Sequence, residues 1–349
     1  SAATFTMPAS TLDKAAAAEA APPSAWWLGR ASSPAAVREA CTHGSHGGPT
    51  AGLADGFVQA NLVVVPAEHA ESFRDFCRLN PRPCPLLEEL PPGERLTRTL
   101  ADGADLATCL PRYRVWRHGR AAEEVSDLRG LWRDDLCAFL LGCSFSFEQS
   151  LEAAGIRMRH TEESKNVPMY ITNRPCESAG PFRGHLVVSM RPLLPGDVQR
   201  ATSITRRFPR VHGAPVHVGS PAALGISALE RPDFGEAVSL RPGEVPCFWA
   251  CGVTPQLALQ AAALPLAITH APGHMLVGDL RNEALADRDP RRTHLHRPTH
   301  LMLLALLVAV AAMAVGVARE EWRAGGGGGG GVWNGFTLAP GGGTTRYGR

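Results

Sequence analysis

The residues best suited to chemistry lie in five short segments. His270-Ala271-Pro272-Gly273-His274 directly follows the apolar run 266–269. Imidazoles just past a strand's carboxyl end, on a turn stiffened by proline and loosened by glycine, stand where open α/β sheets bind ligands. Each can act as acid or base near neutral pH. Hydrogen-bonded loop histidines are the plainer alternative. Gly142-Cys143-Ser144-Phe145-Ser146-Phe147-Glu148 puts a thiol, two hydroxyls and a carboxylate at a helix start. The helix dipole there favours a thiolate, so Cys143 is a candidate nucleophile and Glu148 a candidate general base. A thiol buried for packing and an acid compensating the dipole are the plain alternatives.

Three segments could hold an anion. Arg206 to His217 carries arginines with His212 and His217 in a loop entering a strand, and Arg191 ends the apolar run 185–190. Guanidinium forks match carboxylates, although most arginines simply face solvent. Thr254-Pro255-Gln256 follows a strand and a Cys251-Gly252 turn, so Thr254 is expected to cap a helix whose free N–H groups suit a carboxylate. Asn166 and Tyr170, close to Lys165, lie in a polar loop that either covers a ligand or links subdomains. His212, His217, His270 and His274 lack the spacing of a zinc site. The glycine run 325–331 follows no strand, so no nucleotide loop is present. The expected ligand is a small-molecule carboxylate, handled without cofactor or metal.

These side chains need a scaffold, and the hydrophobic pattern predicts an α/β fold: a mostly parallel or mixed sheet with flanking helices, in two subdomains. Ser33-Pro34 opens a short helix ending near Gly44; 62–65 reads as a strand closed by Pro66, and 67–79 as a helix. Residues 113–116 form a strand that turns back at His118-Gly119. Residues 131–141 read as an apolar helix, and a second helix capped by Ser144 ends at Gly155. Strands are expected at 185–190, 215–218, 245–250 and 266–270, with helices at 196–207 and 254–263. Residues 106–181 are the candidate second subdomain, and no internal repeat is legible.

The chain's 349 residues, 44% of them hydrophobic, can bury a substantial core. Its net charge of +2 is too mild for a nucleic-acid face. Residues 288–349 hold eight arginines against three acids, a surplus of five, which leaves residues 1–287 at −3. Any anion site in the body is therefore local rather than a general positive field. Nine scattered cysteines without a C-x-x-C pair fit a reducing compartment. Residues 1–32 read as a flexible leader, a poor secretory signal and a feeble transit peptide. Residues 288–349 read as a basic, hydrophobic and glycine-rich tail whose uncharged run 301–318 is at the lower limit for crossing a bilayer.

Taken together, Thr50 to Leu53, Gln59 to Leu62, Asn80 to Leu86, Leu131 to Leu136, Gly142 to Glu148, Asn166 to Tyr170, Val211 to Val216, Phe248 to Gln256 and Thr269 to His274 resemble the D-glutamate cyclase-like family. That family contains bacterial hydro-lyases and the mitochondrial D-glutamate cyclase of animals, and the resemblance spans about residues 33–287. It implies a two-part α/β fold and, from its best-known member, reversible dehydration of D-glutamate to 5-oxo-D-proline. A mitochondrial-matrix or cytoplasmic location and no organic cofactor follow, and a homo-oligomer is compatible. The resemblance carries motifs rather than residue roles. His270 and His274 then serve as the first acid/base pair, with His212, Glu148 and Cys143 behind them. Arg191, Arg206, Thr254, Gln256, Asn166 and Tyr170 are the candidate substrate contacts. The animal enzyme has a second C-terminal domain where this chain has its hydrophobic, glycine-rich tail. A binding or sensing module that keeps the pocket without turnover, tethered to a membrane or free, is the competing reading.

Overall fold

The computed structural model describes residues 28–287; the leader, for the most part, and the 288–349 tail with its 301–318 run lie outside them. Two sheets with flanking helices make up the fold, which is the α/β class expected. The first sheet is built from β1 (Phe57–Pro66), β2 (Leu86–Leu90), β3 (Tyr113–Arg117), β4 (Arg120–Val125), β5 (Leu136–Gly142), β10 (Ala267–His270) and β11 (Leu276–Arg281). Its strand order is β2-β5-β1-β10-β3-β4, with β11 pairing β1. The second sheet joins β6 (Met169–Pro175), β7 (His185–Leu193), β8 (His217–Val218) and β9 (Val245–Ala250) in the order β6-β7-β9-β8. Residues 106–181 supply β3, β4 and β5 to the first sheet and β6 to the second.

Every pairing within these sheets is antiparallel, although strand and helix alternate along the chain. The reason lies in the connections. The helix α2 (Ala67–Leu79) carries β1 over to β2, but the two strands do not touch, because β5 inserts between them. The helix α5 (Pro195–Arg206) does the same for β7 and β8, with β9 inserted. Both are split β-α-β units, in which a crossover helix coexists with antiparallel hydrogen bonding.

Local chemistry sets most boundaries. The side chain of Ser33 accepts from the Ala36 N–H at 3.2 Å and starts the helix α1 (Pro34–Thr42), with Pro34 as its first residue. His118 at φ 48° and Gly119 at φ 74° form the tight turn between β3 and β4. Residues 131–141, expected to be helical, are instead a turn followed by β5. Its seven residues are all buried, and it is paired on both edges by β1 and β2. A continuous apolar run carries no period that separates a central strand from a buried helix. Two strands, β2 and β11, and the polar stretch that becomes β6 likewise left no clear pattern in the sequence.

Two layers of apolar side chains hold the sheets to their helices. One joins β1, β5 and the helix α3 (Phe145–Ala153) to Ala201 of α5 and Trp249 of β9. The other joins Phe73 and Phe76 of α2 to Phe139, Phe182 and to Ala258 and Leu259 of the helix α6 (Thr254–Ala262). At the far edge of the first sheet, β4 leaves five of its six residues exposed. A further short helix, α4 (Arg159–Glu162), follows α3.

Candidate active site

The site grows from the junction of β5 with α3. The strand ends at Gly142, where a Cβ would overlap the Arg210 carbonyl, so only glycine lets the 209–213 segment approach this closely. Ser144 then occupies the N-cap position of α3 without making a capping bond, and one helical turn later Glu148 points back under the second sheet. Arg191 of β7 meets it there. The Arg191 guanidinium, 1% exposed, donates from Nε to Glu148 Oε1 at 2.8 Å and also pairs with it through Nη2. Its remaining donors reach Ser189 Oγ at 2.9 Å and Ser144 Oγ at 3.1 Å, and its carbon lies 5.4 Å from the ring centres of both Phe147 and Trp249. This buried cation is thus engaged through all three of its nitrogens, the condition under which such a charge is tolerated.

The other oxygen of Glu148 faces His160, whose Nε2 lies 3.3 Å from Oε2. Burial alone would push the Glu148 carboxyl up, but Arg191 and then His160 outweigh it and hold it at about 2. His160 is only 6% exposed and is fixed by its neighbour. Arg159 is clamped by Glu244 at 2.5 Å and by Ser239, both from the segment leading into β9, so α4 cannot rotate its imidazole away from Glu148.

Glu148 and His160 line a cleft of about 520 Å³. Gln59, Lys165, Asn166 and Asn282 contribute polar groups to it, and Arg30 stands at the exposed rim. Lys165 is oriented by Glu163 at 2.9 Å and the Ala237 carbonyl at 2.8 Å. Asn282 is buried with its Oδ1 unpartnered, and its amide nitrogen reaches Gln149 at 3.4 Å. Cations, carboxylates and amides therefore surround one space, the pattern that recognises a small zwitterion rather than an apolar ligand.

Of the residues singled out in the sequence, Glu148 and Asn166 line this cleft, with Arg191 and Ser144 directly behind Glu148. Cys143 lies beside them, its thiol pushed up to about 12 by burial. His270 is elsewhere: it is buried in the first sheet, its Nδ1 accepts the Leu62 N–H at 3.2 Å, and burial lowers it to about 4. His274 is half-buried and donates to the Pro272 carbonyl at 2.8 Å. His212, at φ 79°, donates to the Arg82 carbonyl at 2.7 Å, and burial lowers it to about 4. Arg206 is exposed in the last turn of α5. Tyr170 sits in the core of the second sheet and donates to the Leu229 carbonyl at 2.7 Å. Thr254, expected as a helix cap, is the first residue of α6, with Val253 at the N-cap; its hydroxyl accepts the Val187 N–H at 3.0 Å. Gln256 is buried with its Nε2 unpartnered. His160 was not among the residues singled out, and Gln59 figured only in a family-like segment, not as a site residue. Neither has a spacing signal, because the fold alone brings them to Glu148.

The family model for D-glutamate cyclase matches residues 137–279, which contain Glu148, His160, Lys165 and Arg191. A "Putative hydro-lyase" of Rubrobacter xylanophilus is 59% identical over 248 residues, 71% of this chain and 96% of the relative. A protein of the same name from Stutzerimonas stutzeri is 56% identical over 253 residues, covering 72% and 96%, and one from Bordetella petrii is 57% identical over 239, covering 68% and 90%. The chain belongs to the D-glutamate cyclase family. The family's matched segment takes in both walls of the Glu148–Arg191 pair and ends in β11. These relatives are bacterial, and among the described residues no helix is long and apolar enough to cross a membrane.

Proposed function

We propose that this D-glutamate cyclase family member is a carbon–oxygen lyase whose cleft binds an amino-acid zwitterion, and that its substrate is D-glutamate, reversibly dehydrated to 5-oxo-D-proline. The observation that carries the reading is the Glu148–His160 pair in the wall of a polar cleft, with Arg191 holding the carboxylate from behind. The family relatives named hydro-lyases support the reaction class.

Cyclisation requires a neutral amine, a polarised γ-carboxylate and a proton for the departing oxygen. A Glu148 carboxyl held at about 2 stays ionised at any working pH, so it cannot be the acid. Its role is to orient the imidazole and to stabilise the imidazolium formed when His160 takes the ammonium proton. His160 returns that proton to the γ-carboxylate oxygen and then relays to it the second proton shed by the attacking nitrogen, so that the oxygen leaves as water. Lys165 and Asn166 suit the γ-carboxylate. Closing the ring is intramolecular, so holding the chain in a bent conformation supplies much of the acceleration.

The test is chiral chromatography of purified protein with D-glutamate and, separately, 5-oxo-D-proline. Interconversion is expected, and in His160→Gln it is expected to fall about 100-fold or more, with the melting temperature changed little. Turnover of neither compound by the wild type, or full turnover by His160→Gln, overturns the proposal.

A further inference from the structure

The chain contains one structural unit twice, a repetition invisible in its residue types. In the first copy β1 runs into α2, and β5 pairs with β1 and runs into α3; in the second, β7 runs into α5, and β9 pairs with β7 and runs into α6. The registers agree: Ala60 faces Gly142 in one copy and Val188 faces Ala250 in the other. Individual hydrogen bonds agree too. The Gln59 N–H donates to Ser146 Oγ at 3.4 Å, and its counterpart, the Val187 N–H, donates to Thr254 Oγ1 at 3.0 Å. On this correspondence Cys143 matches Cys251, and Glu148 matches Gln256.

Cys143 and Cys251 are therefore the same residue of two copies, each the first past its strand and two or three residues ahead of the nine-residue helix that follows. The backbone N–H two places on, of Phe145 or Val253, and the Arg191 guanidinium each draw the neighbouring thiol down against its burial. The Asn61 carboxamide is wedged between the two turns. Its Nδ2 donates to the Gly142 carbonyl at 2.9 Å, and a Cβ on Gly252 would overlap that same nitrogen. Asn61 is 4% exposed, and among the described residues its Oδ1 makes no hydrogen bond, which leaves an unpartnered acceptor between the two cysteine-bearing turns. The cysteines themselves are each 8% exposed.

We propose that Cys143 and Cys251 form a matched pair of proton-transfer groups on opposite sides of one substrate, able to invert the Cα centre of an amino acid or its lactam. One sulfur, as thiolate, takes the Cα proton, and the C–H electron pair delocalises into the adjacent carboxylate. The other thiol delivers its proton to the opposite face. Thiolate and thiol have then exchanged places, with no oxidant or co-reactant consumed. The N-termini of α3 and α6 supply the partial positive charge that a carbanion next to a carboxylate needs. Burial raises both thiols, Cys143 to about 12 and Cys251 to about 11, while the backbone N–H groups and Arg191 oppose it.

The choice of probe, though not the geometry, rests on the amino-acid reading of the cleft. Full-length protein is incubated in D2O with D-glutamate and with 5-oxo-D-proline. Proton NMR follows the Cα signal, and chiral chromatography follows both enantiomers and the cyclisation. Deuterium is expected in the inverted enantiomer before it appears in the recovered D form, the signature of two separate bases. Cys143→Ser and Cys251→Ser are each expected to slow inversion about 100-fold or more. Cyclisation without Cα deuterium overturns the thiol proposal alone. Deuterium with inversion but without cyclisation supports it and overturns D-glutamate cyclisation; neither reaction overturns both. Inversion at the wild-type rate in a folded serine variant also overturns it, and the wild-type result stands as a test even where a variant fails to fold.

Discussion

Three buried groups in this fold are charge-committed, and they set its response to acid. His212 and His270 are held neutral, each lowered from 6.5 to about 4 by burial, and Glu148 is held ionised, lowered from 4.5 to about 2 against its own burial by Arg191 and His160. For all three the folded value lies below the unfolded one. The unfolded chain therefore binds more protons as pH falls, and stability is lost downward. The two histidines act between about pH 6.5 and 4, each costing up to roughly 3 kcal/mol, and Glu148 acts below about 4.5. Urea midpoints are expected to be flat above pH 7 and to fall in two stages beneath it, and His270→Asn to shrink the upper stage. A midpoint unchanged from pH 7 to 4 would contradict the burial of both imidazoles. This commitment also explains why histidine chemistry was misplaced in the sequence. His270 and His274 had the favourable position past a strand, but backbone engages Nδ1 of each, the Leu62 N–H for His270 and the Pro272 carbonyl for His274, and neither ring lines the cleft. His160 had no local signature at all, since its partner is twelve residues away across a turn.

Among the elements, helix and hairpin boundaries were legible wherever a single residue type dictates the backbone. Ser33-Pro34 and His118-Gly119 are such cases. The β5 strand was not, because what makes it a strand is pairing with β1 and β2, and no residue within it reports those partners. Its last residue is the most constrained point of the site. An alanine at Gly142 would drive its methyl into the Arg210 carbonyl and against Val211. Backbone cannot swing aside as a side chain can, so Gly142→Ala is expected to cost about 2 kcal/mol or more and to displace Cys143 and Ser144. Thermal melting together with turnover measures both effects, and an unshifted melt would show that the 209–213 segment yields freely. Gly130→Ala, in open space and without a left-handed backbone, serves as the comparison that lacks the overlap.

For the whole described body, the two repeats are interlocked rather than side by side. Phe147 and Leu151 of α3 share a core with Ala201 of α5, and Ala258 and Leu259 of α6 share one with Phe73 and Phe76 of α2. Each copy's second helix thus closes the core of the other copy. Neither half can bury its sheet alone, so calorimetry is expected to show one transition for the body, with calorimetric and van't Hoff enthalpies in agreement. Two resolved transitions would mean that the halves fold separately. The duplication was unreadable in the sequence because most matched positions carry different side chains, Glu148 against Gln256 and Asn61 against Ser189, and the shared cysteine is too isolated to reveal a register that hydrogen bonding and connection order set.

The outer strand β4 has a consequence for how the molecule behaves in company. Among the described residues it closes the row β10-β3-β4 with an unpaired backbone edge, the kind of template on which another chain can lengthen a sheet. Arg120, Glu123 and Glu124 lie along that edge, and Glu124 is engaged by Arg114 at 2.7 Å. A neighbour docking there would have to strip water from three charges in six residues. Replacing Glu123 and Glu124 by threonine keeps the strand's β preference and removes that deterrent. Light scattering at rising protein concentration is then expected to reveal growing polymers while the fold within each subunit survives, and a scattering curve like the wild type's would show that the twist of the hairpin alone protects the edge.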